Sequence, residues 1–107
     1  MNVVNISTYM IKYEKQTEFL ALIKKFLKFE KANPKAFEGV RSFRLFQQEY
    51  GGVVGTYVEM WEFKSIQEME KVTATMMKNK EMKDIDTEFH KIIDHTTFTE
   101  SIWNTVA

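Results

Sequence analysis

The chain has 107 residues, 15 basic and 15 acidic side chains, 44% hydrophobic residues and no cysteine. Its length predicts one domain over residues 1–107, and its apolar content excludes a disordered chain. The lack of cysteine excludes disulfide and thiol chemistry, and the zero formal charge argues against non-specific nucleic-acid binding. With no basic leader and no apolar stretch of about 20 residues, we expect a cytoplasmic protein without a membrane or nucleic-acid partner.

The first two predicted elements differ in the period of their apolar residues. Residues 2–13 are rich in β-branched residues, and mainly apolar side chains alternate with polar or aromatic ones. This pattern predicts a strand. Residues 16–32 carry apolar side chains three and four positions apart, which predicts an amphipathic helix. This helix is expected to end at Asn33, because a residue that precedes proline avoids the helical conformation.

A β-hairpin is predicted next. Residues 40–50 and 53–63 both have the composition and alternation of strands, and Gly51-Gly52 lies between them. A two-residue hairpin loop favours glycine because its backbone needs positive φ angles. We therefore expect the second and third strands to pair directly across Gly51 and Gly52.

Two helices and a final strand complete the chain. Ser65 and Glu68 have the spacing of a capping box, which predicts a helix after Ser65. Its apolar stripe breaks and then resumes, and Asn79 is the expected cap of a further helix. Residues 96–106 alternate again and predict the last strand. The order β-α-β-β-α-(α)-β predicts an α+β, ferredoxin-like sandwich: a four-stranded antiparallel sheet with helices on one face.

Alternation along the strands divides the predicted sheet into two faces. One is consistently apolar and is expected to lie under the helices: Val4, Ile6, Met10, Phe43, Leu45, Val58, Met60 and Ile102. The other mixes aromatic and polar side chains and is expected to have no helix over it: Asn5, Ser7, Tyr9, Arg44, Phe46, Gln48, Tyr57, Glu59, Trp61, Ser101 and Trp103. Monomers rarely expose so large an aromatic patch, so we predict a homodimer that packs sheet against sheet.

The same mixed face is the predicted ligand site, because binding pockets combine apolar walls with a few placed polar groups. The candidate ligand-binding residues are Asn5, Tyr9, Arg44, Tyr57, Glu59 and Trp61. Arg44 and Glu59 either satisfy each other or act on an anionic substrate as anchor and base. Trp61 is either a pocket wall or a subunit contact. No residue is singled out as catalytic.

The strand order, the chain length and the segment EMWEFKSIQEME together resemble the dimeric α/β-barrel superfamily. That group includes antibiotic-biosynthesis-monooxygenase-like and NIPSNAP-like domains. The resemblance implies a ferredoxin-like protomer, a homodimer that forms a dimeric α/β barrel, and a pocket between the sheet and the helices of each subunit. Some members are cofactorless oxygenases, some degrade haem, and some have no assigned activity.

The haem-degrading members place an Asn on the first strand and a Trp and a His on the helix after the third strand. Asn5 matches the first of these positions, but the helix after Ser65 carries neither Trp nor His. We therefore predict no cofactor.

His90 and His95 are the two histidines of the chain and are candidates for proton transfer near neutral pH. His90 lies at helical i,i+4 spacing from both Asp86 and Asp94. That arrangement suits either weak metal binding or a solvated helix face. The spacing HKIIDH is expected to put the two histidines on different faces, so no metal site is predicted.

Two functions fit these observations. The first is a small-molecule-binding protein that acts on an apolar or aromatic substrate as a cofactor-independent monooxygenase or isomerase. The second is a non-catalytic dimeric binding or assembly module whose aromatic sheet face is mainly the dimer interface. An open pocket of ligand size beside Asn5 and Trp61 would favour the first, because fold alone does not determine function.

Overall fold

A computed structural model describes residues 2–107. Its strands and α-helices, in chain order, are β1 (Val3–Ile11), α1 (Gln16–Ala32), β2 (Val40–Gln47), β3 (Tyr57–Phe63), α2 (Ile66–Met76), α3 (Lys80–Ile92) and β4 (Ile93–Asn104). The strands form one antiparallel sheet in the order β2-β3-β1-β4, with the helices on one face. The predicted α+β fold is therefore confirmed. Within residues 2–107, no helix has the length and apolar character that crossing a bilayer requires.

The connection between β2 and β3 is longer than the predicted two-residue loop. It spans residues 48–56, and Gln48 N donates a hydrogen bond to the carbonyl oxygen of Thr56 at 2.7 Å. Gly51, Gly52 and Gly55 have φ angles of 78°, 85° and 93°. All three angles lie in the left-handed region that favours glycine, so these glycines allow a turn of more than two residues. The third strand, β3, begins after this turn at Tyr57.

Both predicted helix caps are confirmed. The Ser65 Oγ accepts a hydrogen bond from the Glu68 backbone N–H at 3.1 Å, at the start of α2. The Asn79 Oδ1 accepts one from the Met82 backbone N–H at 3.2 Å, at the start of α3. Each cap satisfies a backbone donor that the first turn of a helix leaves without a partner. Ser65 thus marks the start of α2, and Asn79 separates α2 from α3.

The main core lies between the sheet and helices α1 and α3, and it is largely aromatic. Its buried members are Tyr9, Ile11, Phe19, Leu22, Phe26, Phe29, Phe37, Tyr57, Ile85, Ile92 and Ile93. Phe19 of α1 contacts Tyr57 of β3 with 4.6 Å between ring centroids. Phe26 of α1 contacts Trp61 of β3 at 5.7 Å. Such rings bury large apolar areas and determine which strand faces lie under the helices.

The predicted assignment of strand faces is right for β2 and β4 and inverted for β1 and β3. Tyr9 is fully buried and Trp61 packs under α1, so the aromatic face of β1 and β3 meets the helices. Polar atoms are tolerated there because they hydrogen-bond to one another. The side of the sheet without helices, here called the uncovered sheet face, carries Val4, Ile6, Thr8, Met10, Arg44, Phe46, Val58, Met60, Ser101 and Trp103.

The register between β2 and β3 separates Arg44 from Glu59. Leu45 lies opposite Glu59, so Arg44 projects from the other face. The Arg44 guanidinium lies over the ring of Phe46, 4.9 Å from its centroid. The two residues that were expected to satisfy each other, or to act together as anchor and base, are therefore on opposite sides of the sheet.

Candidate functional site

Glu59 is the centre of a hydrogen-bond network on the helix side of the sheet. The Tyr9 hydroxyl donates to its Oε1 at 2.9 Å, and the Trp61 indole Nε1 donates to its Oε2 at 2.8 Å. Trp61 follows Glu59 by two residues on β3 and so shares its face. Tyr9 pairs with Tyr57, which makes it a diagonal cross-strand neighbour of Glu59. Strand geometry thus puts one donor at each carboxylate oxygen.

The surroundings of Glu59 favour its protonated form. Burial raises the pKa of Glu59, and the hydrogen bonds from Trp61 and Tyr9 offset only part of this effect. The carboxylates of Glu100 and Asp86 raise the pKa of Glu59 further. Glu59 therefore exchanges its proton closer to neutral pH than an exposed glutamate does.

The Tyr9 hydroxyl is a fixed donor to this carboxylate. Burial first, and then the neighbouring Glu59, raise the pKa of Tyr9 far above its ordinary value. Its ring is fully buried and is held by four others, including Phe89 at 5.0 Å and Tyr57 at 6.2 Å. Tyr9 therefore keeps its proton and its position while Glu59 titrates.

A cavity of about 120 Å³ opens beside Glu59, between the sheet and helices α1 and α3. Its apolar walls are Leu22, Ile23, Phe26, Phe43, Trp61, Met82, Ile85 and Phe89. Two carboxyl side chains complete the lining: Glu59, which comes from the sheet, and the partly exposed Asp86 of α3. An apolar protein cavity of about 150 Å³ accommodates benzene. This cavity is therefore close to the size of one ring.

The structure brings four of the six sequence-predicted site residues together. Tyr9, Tyr57, Glu59 and Trp61 share one face of the sheet, as their spacing predicted, but this is the helix side and not the uncovered side. Glu59 and Trp61 line the cavity, whereas Tyr9 and Tyr57 stack behind Glu59 in the core. Their roles thus differ: the first pair meets the cavity, and the second pair supports it.

The other two predicted site residues lie outside the cavity. Asn5 is on the helix side, but its Nδ2 donates to the Sδ of Met69 in α2 at 3.9 Å. Arg44 is on the uncovered sheet face. The expectation that Asn5 and Trp61 line one cavity on a face without helices is therefore wrong. The resemblance-based expectation of a pocket between sheet and helices describes the observed cavity.

Sequence reasoning missed the helical walls of the cavity. Phe26, Ile85 and Phe89 belong to the apolar stripes of α1 and α3, and the stripe pattern does not distinguish a cavity wall from the packed core. Asp86 was considered only as a partner of His90. Asp86 follows Ile85 and precedes Phe89 by three residues, so helical spacing puts its carboxylate next to the apolar stripe. This spacing is the sequence signal that indicates Asp86 as a lining residue.

The two histidines lie together rather than on different faces. Their rings stack at 5.7 Å between centroids, and the His95 Nε2 is 2.6 Å from the carbonyl oxygen of His90. The helical spacing rule fails here because α3 ends at Ile92 and the chain continues as a strand. The His90 Nε2 lies 3.5 Å from the Asp86 Oδ1. Within residues 2–107, no three His, Asp or Glu side chains are grouped as metal ligands.

Several solved structures are similar to this chain in fold. A NIPSNAP family protein from Agrobacterium tumefaciens superposes with a TM-score of 0.77 at 14% identity, over 99% of this chain and 94% of that one. An uncharacterised NIPSNAP domain protein from Burkholderia xenovorans gives 0.72 at 15% identity, over 98% and 95% of the two chains. A protein from Bacteroides fragilis, described as dimeric, of unknown function and of ferredoxin-like fold, gives 0.66 at 11% identity, over 97% and 96%.

The chain has the ferredoxin-like fold. At these identities, structural similarity to NIPSNAP family proteins establishes the fold alone. No protein-family model matches the sequence, and no curated protein is detectably similar to it in sequence. The argument for function therefore depends on the cavity and on the Glu59 network.

Proposed function

We propose that this protein binds a small apolar or aromatic molecule in the cavity beside Glu59. The observation that carries the proposal is a ring-sized, aromatic-walled cavity with a buried, hydrogen-bonded carboxyl group on one wall. Ligand sites commonly combine apolar walls with a few polar groups of perturbed pKa. Trp61 serves this site as a wall and not as a subunit contact, because it packs under α1.

Glu59 is the acid–base group of a cofactor-independent reaction in this proposal. A carboxylate whose pKa is raised removes a proton from one ligand carbon and, as the acid, returns it to another. The ligand then gains and loses no atom overall, so the reaction is an isomerisation. Tyr9 and Trp61 hold the carboxylate in one orientation during both transfers. The resemblance to monooxygenase-like domains supports a second candidate, in which the same deprotonation precedes reaction with dioxygen.

Ligand binding is tested with toluene, whose ring fits the cavity volume. The chain contains two tryptophans, Trp61 in the cavity wall and Trp103 on the uncovered sheet face. We expect toluene to shift the NMR signal of the Trp61 indole N–H and to leave that of Trp103 in place. Trp61→Phe assigns the two signals. A shift confined to Trp103, or no shift of either, would contradict the proposed cavity site.

The chemical role of Glu59 is tested with cyclohex-3-enone, a ring-sized ketone whose conversion to the conjugated isomer moves one proton. Glu59→Gln keeps the size of the side chain but removes the proton-accepting carboxylate. General acid–base groups typically contribute about 10²–10⁴-fold to a rate, so we expect the variant to lose at least about 100-fold. Glu62→Gln is the matched control, because Glu62 lies on the uncovered side of the same strand. Equal rates for wild type and Glu59→Gln would refute the assignment.

The uncovered sheet face supports a second element of the proposal, a homodimer. The face carries the aliphatic side chains of Val4, Ile6, Met10, Val58 and Met60, and Phe46 and Trp103 remain 42% and 59% exposed on it. A two-fold axis would bury the same patch on both copies. The structurally similar Bacteroides fragilis protein is described as dimeric. Sedimentation equilibrium at micromolar concentration should show twice the 12.7 kDa chain mass, and a single 12.7 kDa species would refute the dimer.

A further inference from the structure

The charged side chains that line the cavity are all acidic. Glu59 and Asp86 both present carboxyl groups to it, and the Glu100 carboxylate lies near enough to act on Glu59. Among the lining residues within 2–107, none is lysine, arginine or histidine. The cavity is therefore bordered by acidic groups without a basic side chain in its wall.

The hydrogen-bond donors near the cavity are already engaged. The Tyr9 hydroxyl and the Trp61 indole N–H both point to Glu59 oxygens. A carboxylate has lone pairs for about four hydrogen bonds, so Glu59 can still accept from a ligand. A ligand that needs donors, such as a carboxylate or phosphate, meets acceptors and like charge instead. A ligand that brings its own donors or a positive charge meets complementary groups.

The aromatic walls add a second and independent preference for positive charge. Phe26, Phe43, Trp61 and Phe89 contribute four of the ten lining side chains. The Trp61 ring stands close to Phe43, at 4.5 Å between centroids, and meets Phe26 edge-on at 5.7 Å. Aromatic faces attract cations within about 6 Å, and the attraction is largest where water is excluded. Tryptophan binds cations most strongly of these rings.

We propose that the natural ligand of this cavity is a small cation with an apolar body, an amine in its protonated or quaternary form. The inference rests on the proposed ligand-binding function of the same cavity. The carboxyl of Glu59 meets the positive nitrogen from the sheet side, Asp86 meets it from α3, and the aromatic rings enclose its carbon atoms. A cation bound beside Glu59 would lower the pKa that burial raises.

Three probes about the size of one ring but of different charge test the inference: piperidinium, its neutral isostere cyclohexane, and butyrate. Their dissociation constants are measured by NMR titration of the Trp61 indole N–H. We expect the cation to bind about tenfold more tightly than the neutral isostere, which is within the range of desolvated cation–aromatic interactions. Butyrate should bind more weakly than either.

Variants separate charge from shape. Glu59→Gln should reduce the preference for the cation to about twofold or less, a ratio below the scale of a charge interaction. It should leave the affinity for cyclohexane unchanged. Asp86→Asn, at the partly exposed side of the cavity, should reduce the preference by a smaller factor. Glu62→Gln is the control, because its carboxylate accepts hydrogen bonds from Asn2 and Ser42 away from the cavity. This control should keep the full preference.

The possible results distinguish the two proposals. Binding of cyclohexane that equals or exceeds binding of piperidinium would overturn the cationic ligand and leave the cavity site intact. Tighter binding of butyrate would overturn the cationic ligand as well. Failure of all three probes to shift the Trp61 signal would overturn the cavity site itself, and the cationic ligand with it. A cation preference that Glu59→Gln leaves unchanged would refute the role of this carboxylate.

Discussion

Tyr9→Phe is the most informative single perturbation of the Glu59 network. The change removes one hydroxyl and keeps the buried ring that stacks between its aromatic neighbours. The lost hydrogen bond, 2.9 Å long in the wild type, contributes about 1.5–3 kcal/mol when Glu59 is ionised and about 0.5–1.5 kcal/mol when it is protonated. The difference, about 1–1.5 kcal/mol, corresponds to about one pKa unit. We therefore expect the pKa of Glu59 to rise by about one unit.

The assay combines a carbon-13 carboxyl titration of Glu59 with urea unfolding at two pH values. Above the pKa of Glu59 the variant should lose about 2 kcal/mol of unfolding free energy, and below it about 1 kcal/mol. Tyr57→Phe is the control, because Tyr57 stacks on Tyr9 but is not one of the two hydrogen-bond donors to Glu59 in the described chain. An unchanged or lower pKa of Glu59 in Tyr9→Phe would refute the network as described.

Three further predictions concern stability and assembly. The pKa of Glu59 is higher in the folded chain than its ordinary value near 4.5, so its ionisation destabilises the fold. The unfolding free energy of the wild type should fall relative to that of Glu59→Gln as pH rises from about 4.5 through the folded pKa. Below about pH 4.5 the difference in unfolding free energy between the two proteins should be constant. Equal pH profiles in urea unfolding would contradict this prediction. Ser65→Ala should cost about 1 kcal/mol by thermal unfolding, because it removes the cap of α2, and an unchanged midpoint would rule out that cap. Phe46→Glu should yield monomers in sedimentation equilibrium while Tyr50→Glu, in the exposed β2–β3 connection, should not; dimers in both variants would locate the interface elsewhere.

Local signals in the sequence were enough to predict most of the fold. The helix predicted over residues 16–32 matches α1 at both ends, because its apolar stripe is long and Pro34 prevents its continuation. The caps Ser65 and Asn79 were predicted because a single side chain makes each of them. The succession of strands and helices followed from local periodicity, and that succession is typical of a ferredoxin-like sheet. Each of these features depends on residues that are close in sequence.

The relation between β2 and β3 was not predictable in the same way, because it depends on the length of one loop. A two-residue loop at Gly51-Gly52 would have paired Arg44 with Glu59. The observed connection over residues 48–56 pairs Leu45 with Glu59 instead. A register change of one residue moves every side chain of a strand to the other face. That single residue accounts for the separation of Arg44 from the site.

The inverted faces of β1 and β3 have a different cause, and it bears directly on function. Both faces of these strands are apolar enough to be buried, so hydrophobic alternation alone does not choose between them. The choice depends on whether the polar atoms of the aromatic face can satisfy one another. Tyr9 and Trp61 each supply one donor, and Glu59 supplies two acceptor oxygens, so the group closes on itself and can lie under the helices. An apolar substitute for Glu59 would leave two buried donors without partners. The carboxylate that makes this face suitable for the core is therefore the same group on which the proposed acid–base and cation-binding roles depend.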